Sequence, residues 1–177
     1  MNLINKKILL VAALGFAFVL SGCQDARKAV AYNDQVVAIQ NDIIVKFISF
    51  TKEIENMDSA DAQAARRQVL VQVEAGIKQA QQLKFEGDDK QFKMAFMDLL
   101  QFYKKVVAKD YEELIALAYT QNKPPDHADK INALVARFSK EEEKYDLKFA
   151  NAQKQFAQTH NFITGENKLQ KEIDKTK

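Results

Sequence analysis

The chain has 177 residues, with 26 basic and 24 acidic side chains, five glycines, two prolines, one cysteine and no tryptophan. A single cysteine excludes an intrachain disulfide framework and a thiolate metal centre, and the small charge excess supplies no global field for nucleic acid. Scarce glycine and proline point to long helices rather than sheet, with twelve Phe and five Tyr to fill an aromatic interior.

The first element is a leader. Lys6 and Lys7 precede an apolar run of 13 residues from Ile8 to Leu20, the length of a secretory h-region and too short for a standard membrane span. The run ends in Leu20-Ser21-Gly22-Cys23, which resembles the lipobox of bacterial lipoproteins. The resemblance implies alkylation of the Cys23 thiol by diacylglycerol, cleavage after Gly22, and acylation of the new amine; these covalent chains are the only cofactor expected. Small residues at Ser21 and Gly22 let extended backbone enter a peptidase, and only a thiol can become the thioether. An ordinary cleaved signal, or an uncleaved anchor with an incidental cysteine, is the plainer alternative.

On this reading residues 1–22 are a signal peptide, residues 23–165 a lipid-anchored domain and residues 166–177 a polar tail. The leader carries two lysines and no acid, so the mature 155 residues hold 24 basic and 24 acidic side chains. That length is one domain with a real core.

Four helical periodicities follow. The first helix spans about Ala26 to Met57, with the stripe Tyr32, Val36, Ile39, Ile43, Phe47, Phe50, Ile54 and Met57 in steps of three or four. Val37, Ile44 and Ile48 widen it. Asp58 to Asp61 reads as a turn and N-cap. The second helix runs from about Ala60 to Leu83 behind a face of small residues, Ala62, Ala65, Val69, Val73, Gly76 and Ala80, which lets a neighbour approach closely. Gly87 reads as its C-cap, and Asp88 or Asp89 as the next N-cap.

The third helix spans about Lys90 to Thr120, with Phe92, Phe96, Leu99, Tyr103, Val106 and Leu114 on its stripe, and stops at Pro124-Pro125. Asp126 caps a fourth helix from about His127 to Thr159, carrying Ile131, Leu134, Phe138, Tyr145, Phe149, Ala152 and Phe156. Short connections make sequence neighbours antiparallel, so the expected fold is all-α, an up-down-up-down four-helix bundle. Phe47, Phe96, Phe138 and Phe149 are expected in its core.

Catalytic and metal patterns are missing from the sequence. Three residues before His127 stands Pro124, and before His160 stands Ala157, so neither histidine completes the Glu-x-x-His of a carboxylate-bridged di-iron bundle. Both histidines read as exposed helix-end residues. Glu141, Glu142 and Glu143 spread around one turn and read as solvated surface. No Gly-x-Ser-x-Gly turn or glycine-rich phosphate loop is present. The expectation is therefore no enzyme, no metal and no nucleic-acid partner.

One polar cluster stands out: Tyr32, Asn33 and Asp34, followed by Gln40-Asn41-Asp42. Asn33 and Gln40 share a face beside the apolar stripe. They read first as an interhelical hydrogen-bond network that fixes register, and second as a binding patch, with Tyr32, Asn33 and Asp34 as its candidate residues.

Residues 29–40, containing Tyr32-Asn33-Asp34, and the run Phe85-Glu-Gly87-Asp88, continuing through Leu99 and Phe102-Tyr103 to Tyr111, resemble a family of bacterial surface lipoproteins without an assigned activity, best known from a leptospiral member. The likeness spans roughly residues 26–120. It implies an exported helical lipoprotein and supplies no catalytic residue. Gln24 after Cys23, by resemblance to the enterobacterial sorting rule, favours the outer over the inner membrane. The expected function is a membrane-anchored binding or structural module of the cell envelope, with an unidentified envelope protein as its possible partner. The alternative is a carrier of a small apolar ligand in an aromatic-lined core.

Overall fold

A computed structural model describes residues 17–19 and 24–165. Residues 1–16, 20–23 (Cys23 among them) and 166–177 lie outside the described residues, as do the expectations placed on them. The fold is all-α, a four-helix bundle with one short ribbon at its side. Strand β1 (Ala17–Val19) is followed by α1 (Gln24–Glu53), a 3₁₀ turn (Ile54–Asn56), α2 (Ser59–Gln82), α3 (Lys90–Lys105), a π-helical turn (Val106–Asp110), α4 (Tyr111–Ala118), α5 (His127–Thr159) and β2 (Phe162–Thr164).

The apolar stripes become the core. Tyr32, Val36, Ile39, Ile43, Phe47, Phe50 and Ile54 of the first stripe are all buried. On α2 the small face does what its residues allow: a Cβ added at Gly76 would lie 2.7 Å from Ile43 Cδ1 and 3.2 Å from Ile39 Cγ2, so any larger residue would make the isoleucines of α1 shift. The Asp58 carboxylate caps α2 by accepting from the Asp61 amide at 2.9 Å. Contacts between opposite ends show how neighbours run. Lys28 near the start of α1 meets Glu86 beyond the end of α2. Asp98 and Lys105 of α3 pair with Lys148 and Glu141 of α5, later positions on one helix meeting earlier positions on the other. Phe47, Phe96, Phe138 and Phe149 are all buried, and Phe47 lies against Tyr103 of α3 and Tyr111 of α4.

Several expectations need correction. The third helix is not continuous. The Tyr111 amide donates to the Val106 carbonyl, five residues back, where an α-helix would have used Val107. Gly87 does not cap α2, which ends at Gln82 with Leu83 as its cap; Gly87 instead sits under the Phe85 ring, where a Cβ would be 2.6 Å from Cε1. Of the two expected caps of α3, Asp89 makes no cap bond and accepts instead from the Tyr32 hydroxyl, whereas the Asp88 carboxylate accepts from the Lys90 amide at 3.2 Å. His127 is buried, not exposed, at the start of α5, with its amide bonded to the Pro124 carbonyl. His160 is half-buried against Phe156 and Phe85. The ribbon was not foreseen: Ala17–Val19, inside the apolar run of residues 8–20, pairs antiparallel with Phe162–Thr164 in the register Ala17 to Thr164, Phe18 to Ile163 and Val19 to Phe162. Among the described residues no helix is long and apolar enough to cross a membrane.

Candidate functional site

Two buried polar levels cross the bundle. The first lies near the start of α1 and holds the candidate residues Tyr32, Asn33 and Asp34. Tyr32 packs its ring on Phe85, Phe92 and Phe156 and donates its hydroxyl proton to Asp89 at 2.5 Å. Burial, and then the Asp89 carboxylate, push that phenol upward. Asn33 is wholly buried; its side-chain oxygen accepts from Gln153 Nε2 of α5 at 2.7 Å, and its amide donates to Asp34 at 3.4 Å. Asp34 is half-buried at the edge of the stripe. The Asn33–Gln153 bond ties α1 to α5, as a register-fixing amide should.

The second level lies where the third helix takes its π turn, and its residues come from every side. Gln40 enters from α1, Tyr103 from α3, Tyr111 from α4, and Glu142 and Asp146 from α5. Sequence spacing named only Gln40 here, as a register-fixing amide, and neither of its side-chain polar atoms has a hydrogen-bond partner in the protein; the other four were missed. Glu142 is 5% exposed, so the expectation of a solvated Glu141–Glu143 surface fails at its middle residue. Its place on the core side of α5, four residues after Phe138, overrides its charge. The signal was the seven-residue step between Phe138 and Tyr145, which leaves one inward turn with no apolar residue.

This level has few partners. Gln40 Nε2 and Oε1, the Tyr103 and Tyr111 hydroxyls, Glu142 Oε1 and both Asp146 carboxylate oxygens are buried without a hydrogen-bond partner. Tyr103 faces Gln40 and Asp146 without a bond of regular geometry to either. None of the ion pairs in the described structure reaches Glu142 or Asp146. Burial therefore dominates their chemistry. It raises Glu142 to about 9, helped by the neighbouring Asp146 charge, and raises Asp146 to about 7 against the opposing pull of the Tyr103 hydroxyl. Burial pushes up Tyr103, helped by Asp146 and Glu142, and Tyr111, helped by Glu142 alone. Between Phe47, Phe102, Tyr103, Val106, Tyr111, Phe138 and Glu142 lies a gap of about 10 Å³, space for about one water.

The π turn is braced from outside this gap. Arg66 of α2, 6% exposed, donates Nη1 to the Val107 and Ala108 carbonyls at 3.1 and 3.2 Å, Nε to Gln63 at 2.7 Å and Nη2 to Glu112 at 3.1 Å. It thus occupies a carbonyl, Val107, that the shifted helix bond left without its usual donor. Arg137 holds buried Asp110 at 2.7 Å from the opposite side. No cluster of three or more His, Cys, Asp or Glu side chains suited to a metal ion occurs among the described residues.

No protein-family model matches the chain, and no curated protein or solved structure matches it either.

Proposed function

We propose that this chain is a lipid-anchored helical module of the bacterial cell envelope that works by binding or supporting another envelope component, without catalysis of its own. The observation that carries the reading is the lone cysteine at the end of Leu20-Ser21-Gly22-Cys23, directly behind a charged and then apolar leader. The start of α1 at Gln24 supports it. The bundle would follow the lipidated residue without a linker and sit close to the bilayer. Two or three acyl chains on Cys23 give stable anchoring where one would be marginal. Cleavage after Gly22 would also remove β1, leaving the Phe162–Thr164 edge without that partner.

A packed core at the π level further supports a docking role over a carrier. Its gap admits about one water, whereas small-molecule sites need about 300 Å³ or more. By resemblance, Gln24 after Cys23 points to the outer membrane.

Labelling growing cells with radioactive palmitate tests the anchor. The wild-type chain should incorporate label and fractionate with membranes. Cys23→Ala should lose the label and either release the domain or stall it as precursor. Undiminished labelling of Cys23→Ala would sink the proposal.

A further inference from the structure

We propose that Gln40, Tyr103, Tyr111, Glu142 and Asp146 form a proton-controlled latch in the bundle: with both carboxyls neutral they hold α5 against α1, α3 and α4 around a bridging water, and their ionisation loosens α5 from the π turn. The geometry supplies the parts. Two acids four residues apart on α5 turn buried oxygens inward, with Tyr103 within electrostatic reach of both and Tyr111 within reach of Glu142. Three of the five residues, Tyr103, Tyr111 and Glu142, line a gap that fits about one water. A neutral carboxyl carries an O–H that can donate to such a water or to Gln40 Oε1, whereas a carboxylate only accepts.

The groups facing the acids offer little else. From α3 comes Tyr103 and from α4 Tyr111, both phenols that burial keeps protonated. From α1 comes Gln40, which does not titrate. The π turn contributes Asp110, a third acid, whose charge is answered by Arg137 on the half-exposed side of α5. Lys105 is occupied by Glu141. With no cation paired to either acid, removing a proton to solvent leaves a charge in a site built from Phe47, Phe102, Val106 and Phe138. The π turn borders this wall, and such turns inside α-helices are frequent at functional sites.

The sign of the pH effect follows from the raised affinities for protons. The folded chain keeps protons that the unfolded chain releases, so the stabilisation is complete only below about pH 3.8, the ordinary value of an Asp. It is lost progressively as the pH rises through about 7 for Asp146 and about 9 for Glu142.

The test is carboxyl-carbon NMR on the full chain labelled at Glu and Asp side chains, titrated from pH 4 to 10. One Glu and one Asp resonance should titrate at least two units above the rest, and each should vanish in Glu142→Gln and Asp146→Asn respectively. If every Glu titrates with the exposed ones, the latch does not exist. In parallel, the melting temperature of the wild type between pH 5.5 and 9 should fall by about 5 °C more than that of the Glu142→Gln, Asp146→Asn double variant. Equal falls would overturn the proposal, and should the double variant not fold, the wild-type titration still decides.

Discussion

The two buried polar levels of this bundle solve the same problem in opposite ways. Near the start of α1 the polar groups meet across helices: Asn33 with Gln153, and Tyr32 with Asp89. At the π turn a larger set of polar atoms, two carboxyls among them, is buried with partners missing. A paired buried amide fixes register at little cost, whereas an unpaired one forfeits its hydration. The first level therefore reads as structure. The second leaves carboxyls and hydroxyls without partners among the protein's own groups, and a polar level of that kind is where function or regulation is expected.

Core truncations should show the difference most strongly. Phe92, 1% exposed, stacks on Phe149 and Phe156, with ring centroids at 5.6 and 4.9 Å. Phe92→Ala should cost about 4–5 kcal/mol in urea unfolding, the upper part of the range for such changes. Phe138 borders the one-water gap, where water and the acids can move into the space, so Phe138→Ala should cost about 3 kcal/mol. Equal losses would mean that the π level is as tightly packed as the first.

Arg66 sharpens the comparison from the other side. It is the group that makes the π turn tolerable, since its guanidinium meets two carbonyls of the shifted turn. Arg66→Ala should cost about 3 kcal/mol, and hydrogen exchange should quicken at residues 106–111 before it quickens elsewhere. Arg66→Lys should rescue little, because an ammonium cannot span two carbonyls, Gln63 and Glu112 at once. Exchange that quickens uniformly along the helices would show that Arg66 serves the bundle rather than the turn.

The apolar levels of the fold were legible in the sequence because each stripe repeats every three or four residues, and Gly76 announced a close helix approach. What the periodicity could not give is where polar residues replace apolar ones on the inward face. Glu142 looks like its neighbours Glu141 and Glu143, and only the long step from Phe138 to Tyr145 marks it. The π turn left a similar trace: between Val106 and Leu114 the stripe runs through Asp110, an acid where an apolar residue is due. Asp89 was legible as a cap by type but not by role, since a phenol 57 positions earlier claims its carboxylate. Pairings between distant segments, the β1–β2 ribbon included, have no local signature at all.

The smallest effects belong to the first level and decide what Tyr32, Asn33 and Asp34 are for. Asn33 is wholly buried and bonded to Gln153, whose own Oε1 already lacks a partner. Asn33→Ala removes the acceptor and strands the Gln153 amide in the core, at a cost of about 1–3 kcal/mol and several degrees of melting temperature. Asp34 is half-buried and accepts only the long bond from Asn33 among its described contacts. Asp34→Ala should therefore stay within about 0.5 kcal/mol of wild type. That split, one residue holding the helices and its neighbour free to change, is the signature of register fixing with an exposed edge. If both variants melt with the wild type, the Asn33–Gln153 bond holds nothing, and this turn of α1 becomes the first surface to probe for a partner. If Asp34→Ala instead destabilises as much as Asn33→Ala, the polar network reaches the rim and the whole turn is structural.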